Sequence, residues 1–201
     1  MKLAVIFPGV GYHTDKPLLY YSKKLAVNAG YEIVEIKYHD LPDNIKGNRE
    51  RMIAAYEIAL DQTRQVLSIL DISIFDDILF ISKSIGTAVA AGYAEKYDLK
   101  VRHIFFTPVV ETFQLMTKEN PCIVFHGKAD PWADDLEIRN ACKKIGCPEY
   151  AYENANHSIE TGDVTTDIGN LKEIMEAVKT VIDTGKILFE NTIWRQADHG
   201  I

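Results

Sequence analysis

The sequence predicts an α/β fold, a three-layer αβα sandwich built on a mostly parallel sheet of about six strands. Three observations favour it. Short apolar runs alternate along the 201 residues with longer stretches whose apolar positions recur at helical spacing. The connections between these segments are short, as in repeated strand-helix-strand units. No repeat, low-complexity segment or linker divides the chain, so a single domain over residues 1–201 is expected.

The first four segments are predicted as strand, helix, strand and helix. Residues 3–7 form an unbroken apolar run, which is typical of a buried strand. A helix is expected over Pro17–Asn28, with Asp15 as its N-cap. Residues 32–38 alternate between apolar and polar, which predicts a strand with one less buried face. Residues 49–70 have the spacing of a long amphipathic helix.

The rest of the chain continues this alternation with four strands and three helices. The strands are predicted at 77–82, 101–106, 122–126 and 149–153, and the helices at 86–94, 134–145 and 166–182. Residues 185–201 form a C-terminal extension, in which residues 187–189 fit either a short strand or a packed segment.

Composition narrows the classes of function. The chain has 22 Lys and Arg against 29 Asp and Glu, a formal net charge of −7, and no cluster of basic residues. It therefore lacks the positive surface that binds a phosphate backbone, and nucleic acid is not an expected partner. No apolar run reaches the roughly 18 residues of a membrane span. The first residues lack the pattern of a signal peptide. We expect a cytoplasmic protein without a membrane partner.

The cysteines and two of the histidines are expected to be structural. The odd number of cysteines, Cys122, Cys142 and Cys147, without a close pair or a neighbouring His, argues against a disulfide framework or a zinc site. Buried, reduced thiols and no bound metal are expected. His103 and His126 lie in predicted strands, and His103 is expected to be a hydrogen-bonded residue of the core.

A chemically informative motif follows the third predicted strand, where residues 82–86 are Ser-Lys-Ser-Ile-Gly. This segment resembles the Gly-x-Ser-x-Gly nucleophile elbow of the α/β-hydrolase superfamily, with Ser82 in place of the first glycine. The resemblance implies that Ser84 is the nucleophile and that the backbone N–H of Ile85 points at the developing oxyanion. Lys83 is expected to point to solvent or a neighbouring loop, with the pocket as the alternative. A plain strand-to-helix turn with capping serines also fits these residues.

Two later loops match the rest of the hydrolase pattern. Residues 126–130 are His-Gly-Lys-Ala-Asp, similar to the segment in which the family carries its triad acid, here Asp130. His157 follows the last predicted strand, where the family carries its general base. Each residue alone also fits an ordinary loop. Together they follow the order Ser, Asp, His and lie beyond strand ends that meet at one edge of a parallel sheet. The competing acids near His157 are Glu153, Glu160 and Asp163.

A glycine-containing loop follows the first predicted strand. Residues 9–11 are Gly-Val-Gly and resemble the His-Gly-x-Gly loop of the family, which implies that the N–H of Val10 is the second oxyanion donor. The same glycines fit the start of a dinucleotide-binding Gly-x-Gly-x-x-Gly, with Asp40 near a ribose. Thr14 at the third glycine position and the late helix start at Pro17 argue against that alternative.

The resemblance covers about residues 3–182 and is to small members of the superfamily without a lid, such as dienelactone-hydrolase-like proteins. It implies a serine hydrolase that cleaves an ester, thioester or related acyl bond of a small soluble substrate without a cofactor. Only about fifteen residues separate the fourth and fifth strands, where many relatives insert a lid. A non-catalytic binding protein of the same fold stays as the alternative. Neither the acyl group nor the oligomeric state is predicted. The candidate pocket residues are Tyr12, His13, Pro108, Val109 and Trp132.

Overall fold

The structure, a computed structural model, describes residues 1–117 and 119–187 and contains one parallel six-stranded sheet. In chain order, its strands are β1 (Lys2–Phe7), β2 (Glu32–Glu35), β3 (Asp77–Lys83), β4 (Arg102–Phe106), β5 (Cys122–Gly127) and β6 (Glu149–Tyr152). They lie in the order β2-β1-β3-β4-β5-β6, and every neighbouring pair is parallel. All carboxyl ends of the strands therefore meet at one edge of the sheet.

Five helices connect the strands and cover both faces of the sheet. They are α1 (Pro17–Asn28), α2 (Arg49–Leu67), α3 (Ile85–Lys96), α4 (Asp135–Ile145) and α5 (Val164–Thr184). The predicted three-layer α/β fold is confirmed. The sheet is parallel throughout the described residues, which goes further than the mostly parallel sheet that was expected.

Successive strand residues point to opposite faces and enter different apolar clusters. Ile81 of β3 belongs to a cluster with Leu19 of α1 and Val178 of α5. Phe80, one residue earlier, belongs to a cluster on the other face with Val89 of α3. α1 and α5 thus cover one face, and α2 and α3 cover the other together with α4. The two buried faces explain why the inner strands are apolar almost throughout.

Three predicted segments end earlier than the sequence pattern indicates, among them β6 by one residue at Tyr152, and one cap is wrong. β2 ends at Glu35 because it is an edge strand, paired only with β1, and α2 ends at Leu67. The N-cap of α1 is Lys16, without a side-chain cap bond, because Pro17 occupies the first helical turn. The Asp15 carboxylate instead lies 3.6 Å from the Lys23 ammonium. The predicted segment 187–189 extends past the described residues.

His103 is buried as expected, but the prediction that it is hydrogen-bonded is wrong. Both ring nitrogens lack a partner among the described residues, and burial lowers the pKa of His103 to about 3. The ring is held neutral between Phe80 and Phe105, with centroids 5.7 and 4.8 Å away. His126, in β5, has Nε2 2.9 Å from a carboxylate oxygen of Glu149 in β6.

The three cysteines are free and buried, as expected. Within residues 1–117 and 119–187, no helix is long and apolar enough to cross a membrane.

Gly127, the last residue of β5, lets the loops after β5 and β6 touch. A Cβ atom at this position would overlap the carbonyl group of Ala155 and lie 2.6 Å from the carbonyl oxygen of Asn156. The adjacent loop is anchored there as well, because Ala129 N–H donates to the carbonyl oxygen of Ala155 at 2.9 Å. Any side chain at Gly127 has to separate two loops whose backbones are in contact.

We therefore expect Gly127→Ala to destabilise the protein by about 2–3 kcal/mol, since the added methyl group meets backbone rather than a flexible side chain. Gly169→Ala is the matched control: this exposed helical glycine has open space around its Cβ position, and alanine should stabilise α5 by about 0.5–1 kcal/mol. Urea unfolding followed by circular dichroism measures both. Equal stability of the two variants would contradict the proposed contact.

Candidate active site

Ser84 lies in a sharp turn between β3 and α3. Its backbone φ of 56° and ψ of −128° fall in a region that L-residues rarely adopt. The turn is anchored because Ser84 N–H donates to the carbonyl oxygen of Phe106 at 3.0 Å. Gly86 provides the space, since a Cβ there would lie 2.8 Å from the carbonyl oxygen of Phe7. This is the strained strand-turn-helix geometry that exposes a nucleophile at the edge of a sheet.

The structure brings Ser84, His157 and Asp130 into one hydrogen-bonded chain. The Ser84 Oγ atom lies 2.8 Å from Nε2 of His157, and Nδ1 of His157 lies 2.7 Å from Oδ2 of Asp130. Because a carboxylate only accepts, Nδ1 carries the proton and Nε2 accepts from the serine hydroxyl. The Asp130 side chain is 2% exposed, and its other oxygen accepts from Trp132 N–H at 2.8 Å. Among the four acids considered, Asp130 is thus the one paired with His157.

The loop that carries His157 is held by its neighbour Asn156, whose part the sequence interpretation missed. The Asn156 side-chain oxygen accepts from Ser158 N–H at 2.7 Å and Glu160 N–H at 3.3 Å. Its own backbone N–H donates to the carbonyl oxygen of Glu160 at 2.9 Å. Ile159, at a positive φ of 59°, is buried in the apolar cluster on the α1 and α5 face. Asn is a common residue of such turns, because its side chain accepts from backbone N–H groups a few residues on.

The two candidate oxyanion donors belong to α3 and to the loop after β1, both of which meet the turn of Ser84. Ile85 is the first residue of α3, so its N–H is at the positive end of the helix dipole. The loop with Val10 approaches from β1: a Cβ at Gly9 would lie 3.1 Å from the Cβ of Ser84. Within the part of the chain that the structure describes, neither N–H has a hydrogen-bond partner. Both are therefore available to a ligand.

Of the two directions expected for Lys83, solvent is wrong and a neighbouring loop is correct, because the side chain is fully buried against the loops after β4 and β6. Its Nζ atom donates to the carbonyl oxygen of His157 at 2.6 Å and to the hydroxyl group of Thr107. Nζ also lies 4.9 Å from the centre of the Tyr12 ring. Burial lowers the pKa of Lys83 to about 7, although the carboxylates of Asp130 and Glu160 act in the opposite direction.

The surroundings of His157 favour its neutral form. Burial lowers its pKa below the ordinary value of 6.5, and the positive charges of Lys83 and Lys46 act in the same direction. The hydrogen bond to Asp130 and its negative charge act against them. A neutral imidazole that already accepts from a hydroxyl group is in the state that a general base requires.

The candidate pocket residues do not form one wall. Trp132 stacks on His157, with ring centres 5.5 Å apart. The Nζ atom of Lys46 lies 5.4 Å from the centre of the Trp132 ring. His13 is largely exposed and accepts from Asp15 N–H at 3.3 Å. Pro108 and Val109 are buried in the loop after β4.

A cavity of about 430 Å³ lies between α1, α5 and the His157 loop. Tyr12 is the one candidate pocket residue in its wall, which it shares with Leu18, Ile159 and Leu171.

Among the described residues, no group of three or more His, Cys, Asp or Glu side chains is arranged to hold a metal. The chemistry that the site offers is that of an activated hydroxyl group beside backbone N–H donors.

Comparison with known proteins agrees with this geometry at the level of the fold. No family model and no curated protein matches the chain. Solved structures do match. An α/β serine hydrolase without lid from Xanthomonas campestris is 11% identical, with a TM-score of 0.61 over 93% of this chain and 83% of that chain. Est1E from Butyrivibrio proteoclasticus with bound ferulic acid is 14% identical, with a TM-score of 0.65 over 92% and 90%.

A third match is an α/β serine hydrolase homologue from Coxiella burnetii, 18% identical, with a TM-score of 0.61 over 89% of this chain and 83% of that chain. The protein therefore has the α/β-hydrolase fold, as the motifs after its strands predicted. At these identities the likeness concerns the fold.

The positive φ of Ser84 predicts how substitutions there change stability. Glycine adopts this conformation without strain, whereas alanine keeps a Cβ, so Ser84→Gly should be more stable than Ser84→Ala by about 1 kcal/mol. The pair at Ser68 is the control, because its φ of −66° is ordinary and alanine should there be the more stable substitute. Urea unfolding measures both pairs, and the same order at both positions would contradict the strain at Ser84.

Proposed function

We propose that this protein is a serine hydrolase that cleaves an ester, thioester or related acyl bond of a small molecule. The observation that carries the proposal is the hydrogen-bonded chain from Ser84 through His157 to Asp130, with distances of 2.8 and 2.7 Å. A hydroxyl group, an imidazole and a carboxylate in this order are the parts of a catalytic triad. They lie at the sheet edge where ligands bind in this class of fold.

In the proposed reaction, Ser84 Oγ attacks the carbonyl carbon while His157 Nε2 takes the hydroxyl proton. Asp130 holds the imidazole in the correct tautomer and stabilises the imidazolium that forms. His157 then gives the proton to the leaving alcohol or thiol, which leaves an acyl group on Ser84. His157 then takes a proton from water as the water oxygen attacks the acyl carbon, and it returns this proton to Ser84 Oγ as the acyl–Oγ bond breaks, which releases the acid.

The negative charge on the carbonyl oxygen in both steps needs fixed donors. The N–H groups of Ile85 and Val10 are the proposed pair, since both are unpartnered in the described structure, Ile85 follows Ser84, and Gly9 before Val10 lies close to Ser84. This assignment needs only backbone atoms, so the absence of the histidine that precedes the glycines in relatives does not weaken it.

The short connection between β4 and β5 is consistent with a small substrate. The buried Phe113 anchors this segment in an apolar cluster with Phe105 of β4 and Ile138 of α4. The described residues around Phe113 therefore pack on the body of the protein. The proposed partner is accordingly a small-molecule acyl substrate, and the acidic chain disfavours nucleic acid.

Two assays test the proposal: labelling by a fluorophosphonate probe, and hydrolysis of p-nitrophenyl esters of increasing acyl length, with a ferulate ester added because Est1E binds ferulic acid. We expect Ser84→Ala and His157→Ala to lower kcat by about 10⁴-fold or more, because each removes a part of one unit. Asp130→Asn should lower kcat by about 10²–10⁴-fold, since the imidazole remains. His39→Ala, at a histidine outside the site, is the control.

Absence of labelling and of hydrolysis in the wild type, under conditions in which a known serine hydrolase reacts, would contradict the proposal. It would leave a binding protein of the same fold. Saturable binding of NADH in a fluorescence titration would instead favour the dinucleotide alternative based on the glycines at 9–11.

The pKa of His157 predicts the acid side of the activity profile. His157 acts as a base only when deprotonated, so kcat/KM falls as the pH drops through its pKa. Because that pKa is lowered, the midpoint of the fall should lie below pH 6.5. In Asp130→Asn the midpoint should move further down, since the carboxylate favours the protonated imidazole. A profile of kcat/KM between pH 4 and 8 measures this, and a midpoint above 7 would refute it.

A further inference from the structure

We propose that Lys83 is a positioning residue, whose ammonium group holds the loop of His157 against the turn of Ser84. The proposal rests on the proposed function, since it assigns Lys83 to the alignment of the same serine and histidine. A residue next to a nucleophile often does no more than connect the strand to the helix. The contacts of Lys83 indicate a further role.

The ammonium group of Lys83 joins loops that follow different strands. Lys83 itself ends β3 and precedes Ser84. Its Nζ atom donates to the carbonyl oxygen of His157, in the loop after β6, at 2.6 Å. It also donates to the hydroxyl group of Thr107, the first residue after β4. The bond to His157 goes to the main chain, so it fixes the backbone of the residue whose imidazole meets Ser84.

The rest of this environment is built to keep the ammonium group in place. Lys83 has no exposed surface, and its Nζ lies 4.9 Å from the ring centre of Tyr12, in the loop after β1. Thr107 has a positive φ of 40°, which a β-branched residue rarely adopts, and its N–H donates to the carbonyl oxygen of Phe125 at 2.7 Å. The hydroxyl acceptor is thus held in an unusual backbone conformation beside Lys83.

Fold stability alone does not account for a lysine at this position. Removing an ammonium group from water is unfavourable, and replacing a buried ion by an apolar side chain of similar length is often neutral or stabilising. Burial indeed moves the pKa of Lys83 down to about 7. What an apolar side chain does not provide is a donor for the carbonyl oxygen of His157.

The charges that face Lys83 and His157 come from several loops. Asp130 and Glu160 are the carboxylates that act on Lys83, and Lys46 is a second cation that acts on His157. Burial raises the pKa of the Tyr12 phenol to about 12, so it stays neutral. In the pH range where His157 titrates, Lys83 is protonated and opposes protonation of the imidazole. Loss of Lys83 should therefore raise the pKa of His157.

The test compares Lys83→Met, which keeps the length of the side chain, with Lys23→Met. Lys23 is a largely buried lysine of α1 that binds Glu35 at 2.9 Å. We expect Lys83→Met to lower kcat by about 10- to 100-fold with little change in KM, because the triad is misaligned. The acid midpoint of kcat/KM should rise by roughly half a pH unit. A merely structural lysine would not move that midpoint, and Lys23→Met should behave as wild type.

Thr107→Val is the second variant, which keeps the shape of the side chain but removes the oxygen that fixes the ammonium group. We expect it to lower kcat by a smaller factor in the wild-type background and not at all in Lys83→Met. If Lys83→Met does not fold, Thr107→Val alone decides: a wild-type kcat would overturn the proposal. A folded Lys83→Met with wild-type kcat and midpoint would overturn it as well.

A titration of His157 by NMR separates this proposal from the proposed function. If the wild type neither reacts with the fluorophosphonate probe nor hydrolyses esters, the proposed function fails, but the pKa of His157 is still measurable. An upward shift of that pKa in Lys83→Met would then support the contact between Lys83 and the His157 loop. No shift would overturn it.

Discussion

The arrangement of the site depends on the close contact of backbones at one edge of the sheet. Every strand is parallel to its neighbours, so the loops after all six strands leave from that edge and compete for the same space. Gly86 and Gly127 relieve the crowding where a Cβ would overlap the carbonyl groups of Pro8 and Ala155. Only with these backbones in contact do the side chains of Ser84, Asp130 and His157 come within hydrogen-bond distance.

The same crowding sets the electrostatics of the site. Close loops exclude water, so the Asp130 carboxylate is 2% exposed and Lys83 has no exposed surface. In such an environment each charge needs fixed partners. Asp130 accepts from His157 and from Trp132 N–H, and Lys83 donates to Thr107 and the His157 carbonyl. The hydrogen bonds that hold the His157 ring and loop are therefore also those that make the burial of Asp130 and Lys83 tolerable.

Most of the fold could be predicted because periodicity is a local property of the sequence, and Ser84, Asp130 and His157 follow from the resemblance of their loops to α/β-hydrolase motifs. What failed depended on packing between distant segments. Lys83 is two residues after Ile81 and thus on the same face of β3, above a cluster that contains Tyr12. The period of two thus places Lys83 inward, whereas its charge alone favours solvent, so its contacts with the neighbouring loops depend on packing. The N-cap of α1 failed because Pro17 sets the start of the helix, and Asn156 was missed because an Asx turn is defined by its acceptor geometry.

An unusual backbone conformation or a buried charge indicates a functional site only when the residue also has hydrogen-bond partners there. Ser84 and Thr107 both have positive φ, Lys83 is a buried cation, and all three lie at the loop edge of the sheet and bond to one another or to His157. His103 breaks a rule equally clearly, since its buried ring nitrogens are unpartnered, yet it lies inside β4 among aromatic rings. Burial holds its imidazole neutral, and no polar group of the described residues forms a hydrogen bond with it. Strain and burial become evidence for chemistry where they converge on a shared acceptor or donor, and in this protein that convergence is at His157.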